Sequence, residues 1–186
     1  MSKNSRSRRA YVGAQLHLNR TPTGRRSAVA VRQAAHYVAY GQRGKVAETA
    51  QLRGEWVGED GQRYSHEAVL AWGKAGAWEH QYTVHAVLSV PRVRLSADDY
   101  RLALAADEEV SRTYRLMVHE DTRYSHAHAL FFWDKRMEKE QFLQWQAEVR
   151  SVLAERETAQ IAVHELAAGQ EEEIGQTRRQ AWGLEI

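Results

Sequence analysis

The residues best placed to do chemistry lie in one short stretch, His119-Glu-Asp-Thr-Arg-Tyr-Ser-His126-Ala-His128. His126 and His128 are two apart. In a strand such residues share a face, with their Cα atoms roughly 7 Å apart by strand rise. His119 ends a strand-like run from Tyr114, and the six residues before His126 are enough to turn the chain back antiparallel. Three imidazoles from two neighbouring strands then converge. Three neutral histidines leave open positions on a divalent ion, as a catalytic site requires. Mg or Mn is expected, and the imidazoles would also accept Zn, Co or Ni. In the connection, Glu120 or Asp121 can accept from a ring's second nitrogen and fix its tautomer. Asp121 can instead act as a general base. A lone strand histidine is ordinarily a satisfied polar side chain; the triple spacing with an acid between reverses that reading. Among the other histidines only His85, on another predicted strand, is an alternative ligand.

The elements that must position these residues follow from periodicity. Tyr11 to Leu18 alternates as a strand, and Asn19 to Gly24 reads as a loop. Ser27 to about Gln42 repeats apolar residues at helical spacing and stops at Gly41 and Gly44. Asp60-Gly61 between Glu55-Trp-Val-Gly and Gln62-Arg-Tyr marks a hairpin. Ser65 to Trp72 is a short capped helix, and His80 to Val90 is a strand closed by Pro91. Ser96 caps a helix to about Val110. Tyr114 to His119 and His126 to Trp133 are strands, and a long helix starts at Glu138. The pattern predicts an α+β fold: an antiparallel sheet of about five strands, with helices mainly on one face as a two-layer sandwich. Residues 1–10 form a basic flexible arm, 11–166 the domain, and 167–186 a tail or short helix of that domain.

Composition narrows the function. The chain has no cysteine, which excludes disulfides, zinc fingers and thiol nucleophiles. The first ten residues are polar and basic, unlike a secretory signal. No apolar run approaches the ~18 residues of a membrane span, so the expected setting is cytoplasmic, with no membrane partner and no small-molecule cofactor. Residues 1–53 carry eleven Lys/Arg against one acid, although the whole chain is only +2. Such a basic third fits a nucleic-acid partner. Arg6, Arg8 and Arg9 in the arm are candidate backbone contacts, and so are Arg25, Arg26, Arg43 and Lys45 further on. Arg115 shares strand parity with His119, and Lys135 and Arg136 follow the histidine strand, so these three are candidates too.

The stretch from His119 to His128 resembles the H-x-D-T-x-x-x-H-x-H signature of plasmid-mobilisation relaxases of the MobP type, within the wider class of His-hydrophobic-His nucleases. Spacing and residue types match without gaps. Val84 to Pro91 with Leu95-Ser-Ala-Asp-Asp-Tyr, earlier in the chain, is similar to the family's strand ending in Ser-Phe-Pro and the helix that follows it. Ala35-His-Tyr-Val-Ala-Tyr-Gly-Gln-Arg-Gly-Lys45 is similar to its first motif, so the likeness covers about residues 30–135. It implies a two-layer nuclease fold and site-specific nicking and joining of single-stranded DNA at a transfer origin. The product would be a 5′-phosphotyrosine, with accessory or coupling proteins as partners. By that match Tyr37 is the nucleophile, with Tyr40 the fallback, and Asp121 can accept the phenol proton. Every tyrosine of the chain precedes His126. That order favours a relaxase over a rolling-circle replication initiator or transposase, which generally place the tyrosine after the histidine pair. Two further readings are a non-catalytic DNA-binding accessory protein with a relaxase-like fold and a hydrolase of small phosphoesters.

Overall fold

The strongest strand signal in the chain, His126–Trp133, becomes an interior strand of the sheet. In the computed structural model, residues 9–41, 50–107, 113–120, 125–136 and 138–182 are described. The strands are β1 (Tyr11–Leu18), β2 (Trp56–Gly58), β3 (Arg63–Tyr64), β4 (Tyr82–Ser89), β5 (Tyr114–His119) and β6 (His126–Trp133). They form one six-stranded sheet, in the order β1-β4-β6-β5-β2-β3, with every pair antiparallel. The helices are α1 (Val29–Tyr40), α2 (His66–Glu79), α3 (Ala97–Leu104) and α4 (Lys139–Trp182). The α+β class and the antiparallel sheet are as expected from the sequence.

Layering differs from the expectation. Helices cover both faces of the sheet, because β6 is apolar on both. Ala127, Ala129 and Phe131 point to one side, where they pack with Ala86, Leu88 and Leu116 under Tyr100 and Leu104 of α3 and Trp145, Val149 and Leu153 of α4. Leu130 points to the other, where it joins Met117 and Trp56 beneath Ala34, Ala35 and Val38 of α1 and Val69 of α2. Small residues let this second layer come close. A Cβ at Gly73 would meet Val31 Cγ2 at 2.9 Å, and one at Gly76 would collide with the Phe132 ring.

Helix ends follow local chemistry. Gly41 closes α1 in the left-handed region at φ 72°, where a side chain is disfavoured, and its N–H donates to the Tyr37 carbonyl at 2.8 Å. Ser65 Oγ caps α2 by accepting from Ala68 N at 3.2 Å, and α2 runs on to Glu79, past the Trp72 end expected from sequence. Ser96 and Asp99 cap α3 reciprocally, at 3.2 and 3.0 Å. α3 stops at Leu104 rather than near Val110. α4 spans roughly 66 Å by helical rise, and residues 167–182, read as a tail or short helix, continue it. No helix among the described residues is long and apolar enough to cross a membrane.

Candidate metal centre

Strand register decides the site. His119 lies directly opposite His126, and Met117 opposite His128, so all three histidines point to the α1 face. Their ring centroids are 4.6 Å (His119–His128), 5.0 Å (His119–His126) and 5.2 Å (His126–His128) apart. One nitrogen of each falls within 4.8 Å of the other two. His119 and His128 are buried; His126 is half-buried at the rim.

The second nitrogens explain the orientation. His119 Nε2 lies 2.8 Å from the Val38 carbonyl of α1. A carbonyl only accepts, so Nε2 carries the proton and Nδ1 presents a lone pair. That Nδ1 is 3.2 Å from His126 Nε2. Two nitrogens each about 2.0–2.1 Å from one tetrahedral ion stand about 3.4 Å apart, so the pair already has the spacing of shared ligands. His128 Nδ1 contacts His85 Nε2 at 2.8 Å, which leaves Nε2 for the centre. Burial, then the His85, His119 and His126 imidazoles and the Arg53 guanidinium, push the His128 pKa down to about 2. His128 is therefore neutral at ordinary pH, as a ligand must be. The three histidines fit a divalent ion.

Helix α1 puts Tyr37 against this cluster. Its ring meets His128 edge-on at 90° and His85 at 69°, with both centroids 6.1 Å away. Tyr40 turns away, packing on His66 at 5.0 Å and on His36 at 6.3 Å. Of the two tyrosines offered by the sequence, Tyr37 is the one against His128 of the candidate metal cluster. Tyr100 is, like the exposed Tyr11, another phenol near this end of the sheet. Burial pushes its pKa up to about 12, and its hydroxyl donates to Ser125 Oγ at 3.2 Å. It props the residue before His126.

A cleft of about 430 Å³ opens from His128, His85 and Tyr37 past Gln15 to Gln146 and Arg150 of α4. It crosses the free edge of β1, where Gln146 Nε2 and Arg150 donate to the Val12 carbonyl at 2.6 and 3.3 Å. A larger groove of about 510 Å³ between α1 and α2 holds no histidine, so size does not mark the site. Gln146 and Arg150 were not singled out by sequence. They continue a spacing of four from Phe142, which could have revealed them. Arg53, whose charge reaches His128, had no such signal; its N–H is tied to the Ala39 carbonyl at 2.9 Å.

The basic candidates divide. Arg9 is exposed two residues before β1, at the His126 end of the sheet, because Tyr11 pairs Ser89 and Ser89 pairs His126. Arg115 does share parity with His119, but it is not available to a phosphate. It is buried, ion-paired to Glu59 at 2.8 Å, bonded to the Tyr114 carbonyl and stacked over Tyr64 at 3.9 Å. Lys135 and Arg136 are exposed beyond Trp133, itself roughly 17 Å from His128 by strand rise. Arg26 lies at that far end too, donating to the His80 carbonyl at 2.6 Å, next to Arg25. The structure therefore does not gather these four around the histidines. Asp121, Arg6, Arg8, Arg43 and Lys45 lie outside the described residues.

No family model, curated protein or solved structure matches the chain. The site's own geometry therefore carries the functional reading.

Proposed function

We propose that the chain nicks and rejoins single-stranded DNA through a tyrosyl-phosphate bond, as the relaxase-like histidine motif implies. One observation carries this reading: the Tyr37 ring lies edge-on to His128, a member of the three-histidine cluster. When held by His119, His126 and His128, a divalent ion supplies Lewis acidity toward the non-bridging oxygens of a phosphate. Tyr37 supplies the nucleophile. Its phenol oxygen bonds to phosphorus, the P–O3′ bond breaks, and the 3′ oxygen takes up a proton as it leaves. The phenol proton passes to a base, for which Asp121 is the proposed group. One phosphodiester is exchanged for another, so attack by a 3′-OH can reverse the step.

The cleft from Tyr37 to Arg150 is the proposed path of the strand. Arg150 and Gln146 offer donors to its phosphates, and Arg53 adds positive charge beside His128. A transfer origin on a mobile element is the proposed substrate, with mobilisation or coupling proteins as partners.

The test is covalent capture. Protein with Mn²⁺ or Mg²⁺ is mixed with a labelled pool of single-stranded oligonucleotides and run under denaturing conditions. The expected result is a protein–DNA adduct that Tyr40→Phe retains and Tyr37→Phe loses. An adduct that survives both substitutions together defeats the nucleophile assignment. Metal binding with DNA retention but no adduct defeats nicking and supports the accessory-protein reading.

A further inference from the structure

We propose that His85 is a positioning residue: it holds His128 in the one tautomer, and at the one angle, from which His128 can bind a metal. The inference rests on the metal-centre reading and not on the nicking chemistry. His85 lies on β4, across from Leu130 of β6 and diagonal to His128. It is 6% exposed, and its Nε2 is 2.8 Å from His128 Nδ1. The two rings are 5.0 Å apart and tilted by 32°. Acids near the motif were the expected orienting groups. Here a histidine from the neighbouring strand occupies that place.

Counting protons shows what His85 does. A neutral imidazole has one N–H and one lone pair. The short contact holds one proton between His85 Nε2 and His128 Nδ1. If His85 donates it, His128 must carry its own proton on Nε2, aimed at the other two histidines, and cannot ligate. If His128 donates it, His128 Nε2 has its lone pair toward the cluster, and His85 keeps its proton on Nδ1. Only the second arrangement is compatible with an ion. His85 is then the acceptor that makes it favourable, the part a carboxylate or carbonyl plays for other histidine ligands. His119 has the matching device in the Val38 carbonyl, 2.8 Å from its Nε2. Two of the three ligands are thus aimed by acceptors on two different elements, β4 and α1. A buried imidazole on an interior strand is costly unless partnered, and the partner at 2.8 Å is the atom that sets the ligand's tautomer.

The test is binding of Zn²⁺ by the full chain, read by calorimetry and by long-range ¹⁵N–¹H spectra of the histidine rings. His85→Leu, which cannot accept, is expected to weaken Zn²⁺ binding about 10–100-fold. His85→Gln, whose amide oxygen can accept near the former Nε2 position, should recover most of it, to within about fivefold of wild type. In wild-type protein with Zn²⁺, His128 should be protonated on Nδ1 and bound through Nε2. Wild-type affinity in His85→Leu, or a wild-type spectrum with His128 Nδ1 on the metal, overturns the inference and leaves the metal centre standing. No Zn²⁺ binding by wild type overturns both. Should His85→Leu fail to fold, the His85→Gln affinity and the wild-type spectrum decide: a Gln variant weakened as far as a lost acceptor predicts counts against it.

Discussion

Helix α1 lies over two groups of histidines, and its neighbouring side chains divide between them. Tyr37 leans on His85 and His128, while His36 and Tyr40 belong with His66 and Trp56. Both groups are buried or half-buried and hydrogen-bonded, yet their proton inventories differ. In the second group the Trp56 indole can only donate, and it gives its proton to His66 Nδ1 at 3.3 Å. His66 Nε2 must then be the protonated nitrogen, donating to His36 Nδ1 at 3.1 Å. His36 in turn keeps its proton on Nε2. The chain runs from donor to acceptor to its end, and neither neutral ring has a lone pair left. In the first group an acceptor takes one N–H from His119, and His85 can do the same for His128. The remaining lone pairs then point to a common centre. A histidine cluster becomes a metal site when acceptors, rather than donors, hold its outer nitrogens.

The strongest way to break this comparison is to delete one histidine from each group. His126→Ala and His128→Ala should each weaken Zn²⁺ or Mn²⁺ binding by more than about 100-fold, since a ligand costs more than its supporting shell. His36→Ala should leave the affinity unchanged. Calorimetric titration reads both, and equal losses would mean that the two groups cannot be told apart by proton direction.

Next in size is the stability held by the second group. Trp56→Phe keeps an aromatic ring but removes the donor to His66 Nδ1, and it leaves part of the buried indole's space unfilled, which adds to the loss. A buried acceptor left unsatisfied costs about 1–3 kcal/mol, to be read as a lower urea midpoint. Metal affinity should not change. A variant as stable as wild type would show that the Trp56–His66 contact contributes little.

Much of this was legible in the sequence because it depends on parity. The spacing of His126 and His128 placed both rings on one face, and the six-residue connection returned His119 to them. The same strand carries Ala127, Ala129, Phe131 and Trp133 opposite its histidines, and this hides its second apolar face, since Leu130 looks like one more residue of a mixed run. That is why helices were expected mainly on one side. The role of His85 depends on which residue of β4 lies beside His128, and register between distant strands is not a local property. Arg115 misled for the same reason: parity placed it on the correct face, but not its distance from the centre, where Glu59 and Tyr64 bind it. Tyr37 and Tyr40 are three apart on a helix. The roughly 60° between them decides which one meets His128, and only packing fixes that angle.

A smaller effect separates the cleft from the rest of the basic surface. Arg150→Ala should weaken binding of a single-stranded oligonucleotide modestly and lower the salt slope by about 1. Lys135→Ala, at the far end of β6, should leave both unchanged. Fluorescence anisotropy at several salt concentrations measures the two variants, and equal effects would move the strand off the cleft.

The smallest expected effect is a pH dependence that belongs to the second group. Burial, aided by Arg32, holds the His36 pKa below its ordinary 6.5. Burial, then His36, lowers that of His66, with Glu67 opposing. Above pH ~7 both rings are neutral in the folded and unfolded chain and add no pH dependence. As pH falls through the unfolded value, the unfolded chain takes up protons that the folded one refuses. Stability therefore declines toward acid and levels off only below the lowered folded values. Chelator is included so that metal does not stabilise the folded state. The decline in unfolding free energy from pH 7.5 to 5.5 should then be shallower in His66→Gln than in wild type, by at most about 1.4 kcal/mol per pH unit. The three candidate ligands are the same in both proteins, so their contribution cancels. Parallel declines would mean that His66 is not held neutral by its donors. The contrast between a ring locked by Trp56 and rings open to an ion would then lose its physical basis.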